Sequence, residues 1–151
     1  MAAGTVTLFR RAQPKIGNEK TDLDTDAFKV ALTTSVQAIT DDFSGASTDC
    51  RYGDLTAEVA SGGGYTTGGA TLTTVTWTRA AATVTFDADD VSWPASTITA
   101  KYAILYDDTA VNKDLIGFVD LDTGGGSVST TNGTLLLTWN ASGIFTLTKS
   151  P

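Results

Sequence analysis

From Thr97 to Tyr106 the chain alternates: Ile98, Ala100, Tyr102, Ile104 and Tyr106 share one face, while Thr97, Thr99 and Lys101 open the other. A period of two belongs to a pleated strand, whose successive side chains point to opposite sides. The second face turns apolar at Ala103 and Leu105, which predicts a central strand covered on both sides. Before it, Asp87 to Ser96 reads as an acidic corner with Trp93-Pro94 as a rigid turn. Proline fixes φ there and offers no ladder donor.

The same alternation recurs along the chain. Phe28 to Thr34 places Phe28, Val30 and Leu32 inward. Ala70 to Arg79 reads as a strand, with Thr83 to Phe86 as its hairpin partner through Ala80-Ala81-Ala82. Leu115 to Leu121 is nearly continuous in apolar residues, with Gly117 expected at a bulge or a close backbone contact. Thr134 to Trp139 and Ile144 to Thr148 close the chain, and Thr5 to Phe9 opens it as a short strand. Between them lie Gly-rich connections, Ser61 to Gly69 around Tyr65 and Asp122 to Gly133 with its terminal Asn-Gly turn signal. Arg10 to Thr25 is aperiodic and contains Pro14 and Gly17, so it reads as a loop. Short strands, glycine-rich turns and no helical period predict an all-β fold. The expected architecture is an antiparallel β-sandwich, jelly-roll or Greek-key like.

Composition agrees. Roughly one residue in five is threonine, a branched side chain suited to a half-buried pleated surface. At 151 residues the chain is expected to form one domain, here taken as 21–151, preceded by an arm over 1–20. No apolar run approaches ~18 residues, so no membrane partner is expected. No secretory signal is visible at the N-terminus. The formal charge of −7 argues against nucleic-acid binding across the surface. That charge is uneven. Residues 1–20 hold Arg10, Arg11, Lys15 and Lys20 against Glu19 alone, about +3, which leaves about −10 on the remainder. A short basic arm on an acidic body reads either as a solvated terminus or as an anchor for an acidic protein surface. The anchoring reading takes Leu8, Phe9, Arg10, Arg11 and Lys15 as contact residues.

The chain has no histidine, which removes Ser-His-Asp and Cys-His catalysis, and its lone Cys50 makes no intrachain disulfide. Asp22-Leu-Asp-Thr-Asp26 imitates the opening of a calcium loop, but Ala27 stands at the glycine position and Thr33 at that of the bidentate Glu. The clusters Asp87/Asp89/Asp90, Asp107/Asp108 and Asp120/Asp122 flank predicted strands and read first as turn-formers bonding their own backbone. No metal or other cofactor is assigned, and the chain is not expected to be an enzyme. Trp77 and Trp139 fall on strand faces as core. Tyr65 and Trp93, placed in loops, are the candidates for an exposed contact.

The segments Asp22–Ser35, Gly64–Leu72, Phe86–Trp93, Thr97–Tyr106, Leu115–Asp120 and Asn132–Leu147, in that order, resemble small virion structural proteins of tailed bacteriophages. The resemblance covers about residues 20 to 148 and leaves the first twenty residues least matched. It implies a structural role, no catalytic residues, and a place on the capsid exterior. Within it, a capsid decoration or cement protein is expected, with the major capsid protein and further copies of itself (a dimer or trimer) as partners. A tail, fibre or head-surface module touching host glycans through Tyr65 and Trp93 is the alternative.

Overall fold

A computed structural model describes residues 5–43 and 45–148. In chain order the elements are β1 (Thr7–Leu8), α1 (Ala12–Gly17), β2 (Phe28–Thr33), β3 (Ala70–Thr71), β4 (Thr76–Ala80), β5 (Thr83–Asp87), β6 (Val91–Ser96), β7 (Thr99–Ala100), β8 (Tyr102–Asp107), β9 (Leu115–Asp120), β10 (Val128–Ser129), β11 (Gly133–Leu137) and β12 (Phe145–Thr148). Among the described residues, one 3-10 turn spans Tyr52–Asp54. The fold is an all-β antiparallel sandwich. Its largest sheet runs β1-β9-β8-β2-β3, faced by β12-β5-β4 and by the pairs β11-β6 and β10-β7.

The central strand falls where the alternation put it, with one change. Tyr102–Asp107 sits in the middle of the five-stranded sheet, whereas Thr99–Ala100 pairs with β10 in another layer. The chain bends at Lys101, so the two parts of the stripe face different cores. Ile98 and Ala100 pack in the inter-sheet core with Phe28, Phe86 and Trp93; Ile104 and Tyr106 pack beneath Phe9 on the sheet's other side. Lys101 is held in the bend by its own ladder bonds, donating N–H to Thr33 O (2.7 Å) and accepting Leu121 N–H (2.9 Å).

Three further expectations change. The Trp93-Pro94 corner is part of a strand: Val91–Ser96 pairs with β11, and the register slips at Pro94-Ala95, where Ala95 takes φ 47°. A bulge accommodates the missing proline N–H without ending the ladder. The strand predicted over Ala70–Arg79 is broken in two at Thr74, whose φ is 53°. Residues 5–17 are packed against the body instead of extending as an arm. β1 pairs with β9 (Thr7 opposite Phe118), and α1 replaces part of the predicted loop. The first four residues of the expected arm lie outside the described residues.

Close approach fixes glycine at several positions, two of which hold the main sheet together. A Cβ on Gly69 (φ +73°) would lie 1.9 Å from Val30 O, where the Gly-rich loop presses on β2. A Cβ on Gly117 would lie 2.9 Å from Thr7 O, and this is what lets β1 dock on β9. The close contact expected at Gly117 is present.

Candidate functional site

Of the residues read as an anchoring surface, three keep a surface and two lose it. Arg10 and Arg11 are exposed and Leu8 is half-buried. Arg10 Nε donates to Asp41 Oδ2 at 2.9 Å, a pair open to solvent and correspondingly weak. Phe9 is fully buried: its ring lies 5.3 Å from Phe118 and 6.2 Å from Phe43, and its N–H donates to Ile116 O. An aromatic side chain next to a short edge strand gains more by filling the second core than by waiting for a partner. Lys15 is also buried, its Nζ donating to Asp114 Oδ1 at 2.7 Å and Asp49 O at 2.6 Å, with the Asp49 carboxylate at 3.6 Å. Counted by charge it belongs to a basic arm; paired in three dimensions it is an internal cation.

Tyr65 and Trp93 correct the exposed-contact expectation. Both are buried in the inter-sheet core, ring centroids 6.3 Å apart. Tyr65 Oη donates to Glu58 Oε1 at 2.7 Å and accepts Leu32 N–H at 2.9 Å. The glycines around it let the loop fold inward over β2, so the ring that looked like a loop tip is a plug.

Glu58 was not singled out by the sequence, yet it gathers this region. Its Oε1 also accepts Gly68 N–H at 2.7 Å, and its Oε2 accepts the Tyr52 hydroxyl. Tyr52 stacks on Tyr106 at 4.7 Å, and Tyr106 Oη donates to Gly68 O at 2.8 Å. Burial first, and then the hydrogen bond to Glu58 and its charge, push the Tyr52 and Tyr65 hydroxyls above the ordinary phenol range, against the opposing Leu32 N–H at Tyr65. Both stay protonated donors, and the cluster ties the Gly-rich loop, β2 and β8 together. Burial likewise pushes the Cys50 thiol up to about 12, which makes it a poor nucleophile.

The acidic clusters are absorbed largely by their own turns. Asp22 Oδ1 accepts Asp24 N–H and Asp122 Oδ1 accepts Gly124 N–H, both at 3.0 Å. Asp89 Oδ2 accepts the Thr73 and Thr74 hydroxyls, and Asp90 Oδ1 accepts Trp139 N–H. Asp120 pairs with buried Lys101, whose Nζ lies 2.8 Å from Asp120 Oδ1 and donates to Asp122 O at 2.6 Å. Among the described residues, no three His, Cys, Asp or Glu side chains converge as a ligand set. A shallow groove of about 650 Å³ runs between β1 and β12, lined by Thr5, Val6, Val119, Trp139, Ile144 and Phe145.

The class these observations define is an all-β antiparallel sandwich whose N-terminal segment is built into its second core. No protein-family model, curated protein or solved structure matches the chain.

Proposed function

We propose that this protein is a structural component of a tailed-phage virion, a decoration protein that binds the assembled capsid from outside. The reading is carried by the ordered resemblance of residues 20–148 to such virion proteins. The geometry is compatible with it. Buried aromatic pairs, internal ion pairs and turn-bonded aspartates make a stiff body, and Leu8, Arg10 and Arg11 form a small basic surface on an otherwise acidic chain.

In this reading the major capsid protein is the partner and the unit self-associates as a dimer or trimer across junctions between capsomers. Binding surface that exists only in the assembled lattice stabilises that lattice by mass action. Repetition over many equivalent sites adds avidity to a weak individual contact. The narrowed basic surface contributes through long-range attraction to an acidic shell, which is screened by salt.

The test is a copy count per particle by quantitative gel densitometry, together with binding to empty expanded shells. The expected result is many copies per particle and a raised melting temperature of the shells. A few copies per particle, with binding to host cells or polysaccharide in isolation, would point to a tail or fibre module and overturn the proposal. Arg10→Glu with Arg11→Glu is expected to lower shell occupancy at low salt, with the difference shrinking as salt rises.

A further inference from the structure

One side of the sandwich is open between β1 and β12. β12 is the outer strand of β12-β5-β4, and among the described residues no backbone bond reaches Phe145–Thr148 except from β5. Alternate N–H and C=O groups of a strand point to either side, so the far edge of β12 presents them unpaired. The other edges are blunted. β1, β3, β7 and β10 are two residues long, β4 carries Arg79, and β6 and β11 share an irregular register at Pro94-Ala95 and between Gly133 and Leu135. β12 has no charge, no proline and an unbroken register with β5.

Beside that edge lie a knob and a hole. Phe145 points inward and stacks on Phe86 at 5.1 Å. Leu147, two residues on, shares its face but runs past the end of the core; it stands opposite Val84 and is 45% exposed. The groove of about 650 Å³ begins at the same strand, where Phe145 and Thr146 line it together with Val6, Val119 and Ile144. None of its lining residues is charged. The outward face of β12 is uncharged too: Thr146 stands in a row with Thr85 and Thr78, and the Thr148 hydroxyl lies 3.1 Å from that of Thr83.

We infer that β12 pairs antiparallel with β12 of a second copy about a two-fold axis at Thr146, and that Leu147 of each copy enters the groove of the other. A two-fold contact must be self-complementary, and this strand carries an open edge, an exposed apolar side chain and an apolar hole within four residues. With Thr146 on the axis, Leu147 of each copy stands opposite Phe145 of the other, at the lip of the groove. Charge selects the same occupant. Each chain carries a formal −7, so two copies repel over most of their surface, whereas this seam brings no charged side chain of either strand into contact. A four-residue seam spans only about 13 Å, short of the ~800 Å² per partner of a stable pair, so the dimer is weak when free and gains by repetition. The seam names the surface for the self-association proposed above and to that extent rests on that reading.

Sedimentation velocity of the isolated full chain, from micromolar to millimolar, tests the seam without any shell. The expected result is a monomer–dimer equilibrium that is unchanged or stronger as salt rises, because no ion pair forms at the seam and the acidic bodies repel less when screened. Leu147→Glu is expected to weaken the dimer about tenfold or more, since it sets two like charges beside the axis at a position that is half exposed in the monomer. Thr146→Cys is expected to give a disulfide-linked dimer under mild oxidation, because residues opposed across antiparallel strands lie about 4.5–5.5 Å apart at Cα and the native Cys50 is buried. Thr78→Cys, on the β4 edge, is expected to stay monomeric. A chain that remains monomeric to millimolar, a dimer unmoved by Leu147→Glu, or cross-linking as fast at residue 78 as at 146 overturns the seam. So does a dimer that dissolves with salt or with Arg10→Glu and Arg11→Glu, which would put the contact on the basic surface. Many copies per particle from a monomeric chain would remove this seam and keep the capsid reading; a Leu147-dependent dimer from a chain that fails the copy count would do the reverse.

Discussion

Replacing Phe9 with alanine separates a docked N-terminal segment from a loose arm. The ring is fully buried between Phe43 and Phe118, and an aromatic side chain covers about 150–250 Å². At about 25 cal/mol per Å² that burial is worth about 4–6 kcal/mol, an upper figure because unfolded chains already bury some surface. Measured Phe→Ala losses in cores of about 3–5 kcal/mol agree. For a domain of this size each kcal/mol moves the melting temperature by about 2–4 °C, so Phe9→Ala is expected to lower it by roughly 6–20 °C. If the segment detaches before the body unfolds, the loss is smaller and appears locally. Hydrogen exchange then reports it, through the amides of Phe9 (bonded to Ile116 O) and Arg10 (bonded to Asp41 O). A shift under about 2 °C, together with fast exchange at both amides in the native chain, would refute the docking argument.

Three other perturbations probe the internal contacts. Asp120→Asn leaves the Lys101 ammonium buried against a neutral partner and is expected to cost about 3–5 kcal/mol in denaturant unfolding. Lys101→Met is expected to cost less, because Asp120 is about a third exposed whereas Lys101 is 7% exposed; the reverse order would refute the pairing. Gly69→Ala forces a Cβ into Val30 O at a left-handed φ and is expected to cost at least ~2 kcal/mol or to detach the Gly-rich loop, seen as new proteolysis between 61 and 69. The Lys113 ammonium first, and Lys29 with it, hold the Asp108 carboxyl below the ordinary carboxylate range despite partial burial. Its stabilisation is complete above pH ~4 and disappears as pH falls through the depressed value, so Asp108→Asn is expected to flatten that acid limb in melts between pH ~4.5 and ~2.5. An unchanged limb would contradict the assignment.

What the sequence determined by itself was local. Alternation over Phe28–Thr33 and Tyr102–Asp107, the hairpin pattern over Thr83–Asp87 and the apolar run over Leu115–Asp120 were enough to predict strands, because such patterns are written into neighbouring residues and need no partner to be read. Breaks inside a stripe were not legible. Lys101 carries the polar side chain that alternation expects there, and only its pairing with Asp120 and the Asp122 carbonyl marks it as the bend between two layers. Pro94 looked like a corner because its bulge in β6 exists only against the ladder of β11, some forty residues on.

The tertiary structure decided which polar residues are free. Lys15 and Asp114 are 99 residues apart in the chain, so a charge count along the first twenty residues assigned to the surface a cation that folding buries. Glu58 gave no signal either: its partners Tyr52, Tyr65 and Gly68 lie within ten residues of it, but only the folded loop turns them onto one carboxylate. Tyr65 sits among glycines that resemble a mobile tip, and those same glycines let the backbone close over β2 and bury the ring. Backbone periodicity is a property of adjacent residues, whereas burial and ion pairing belong to contacts that exist only once the sheets have met.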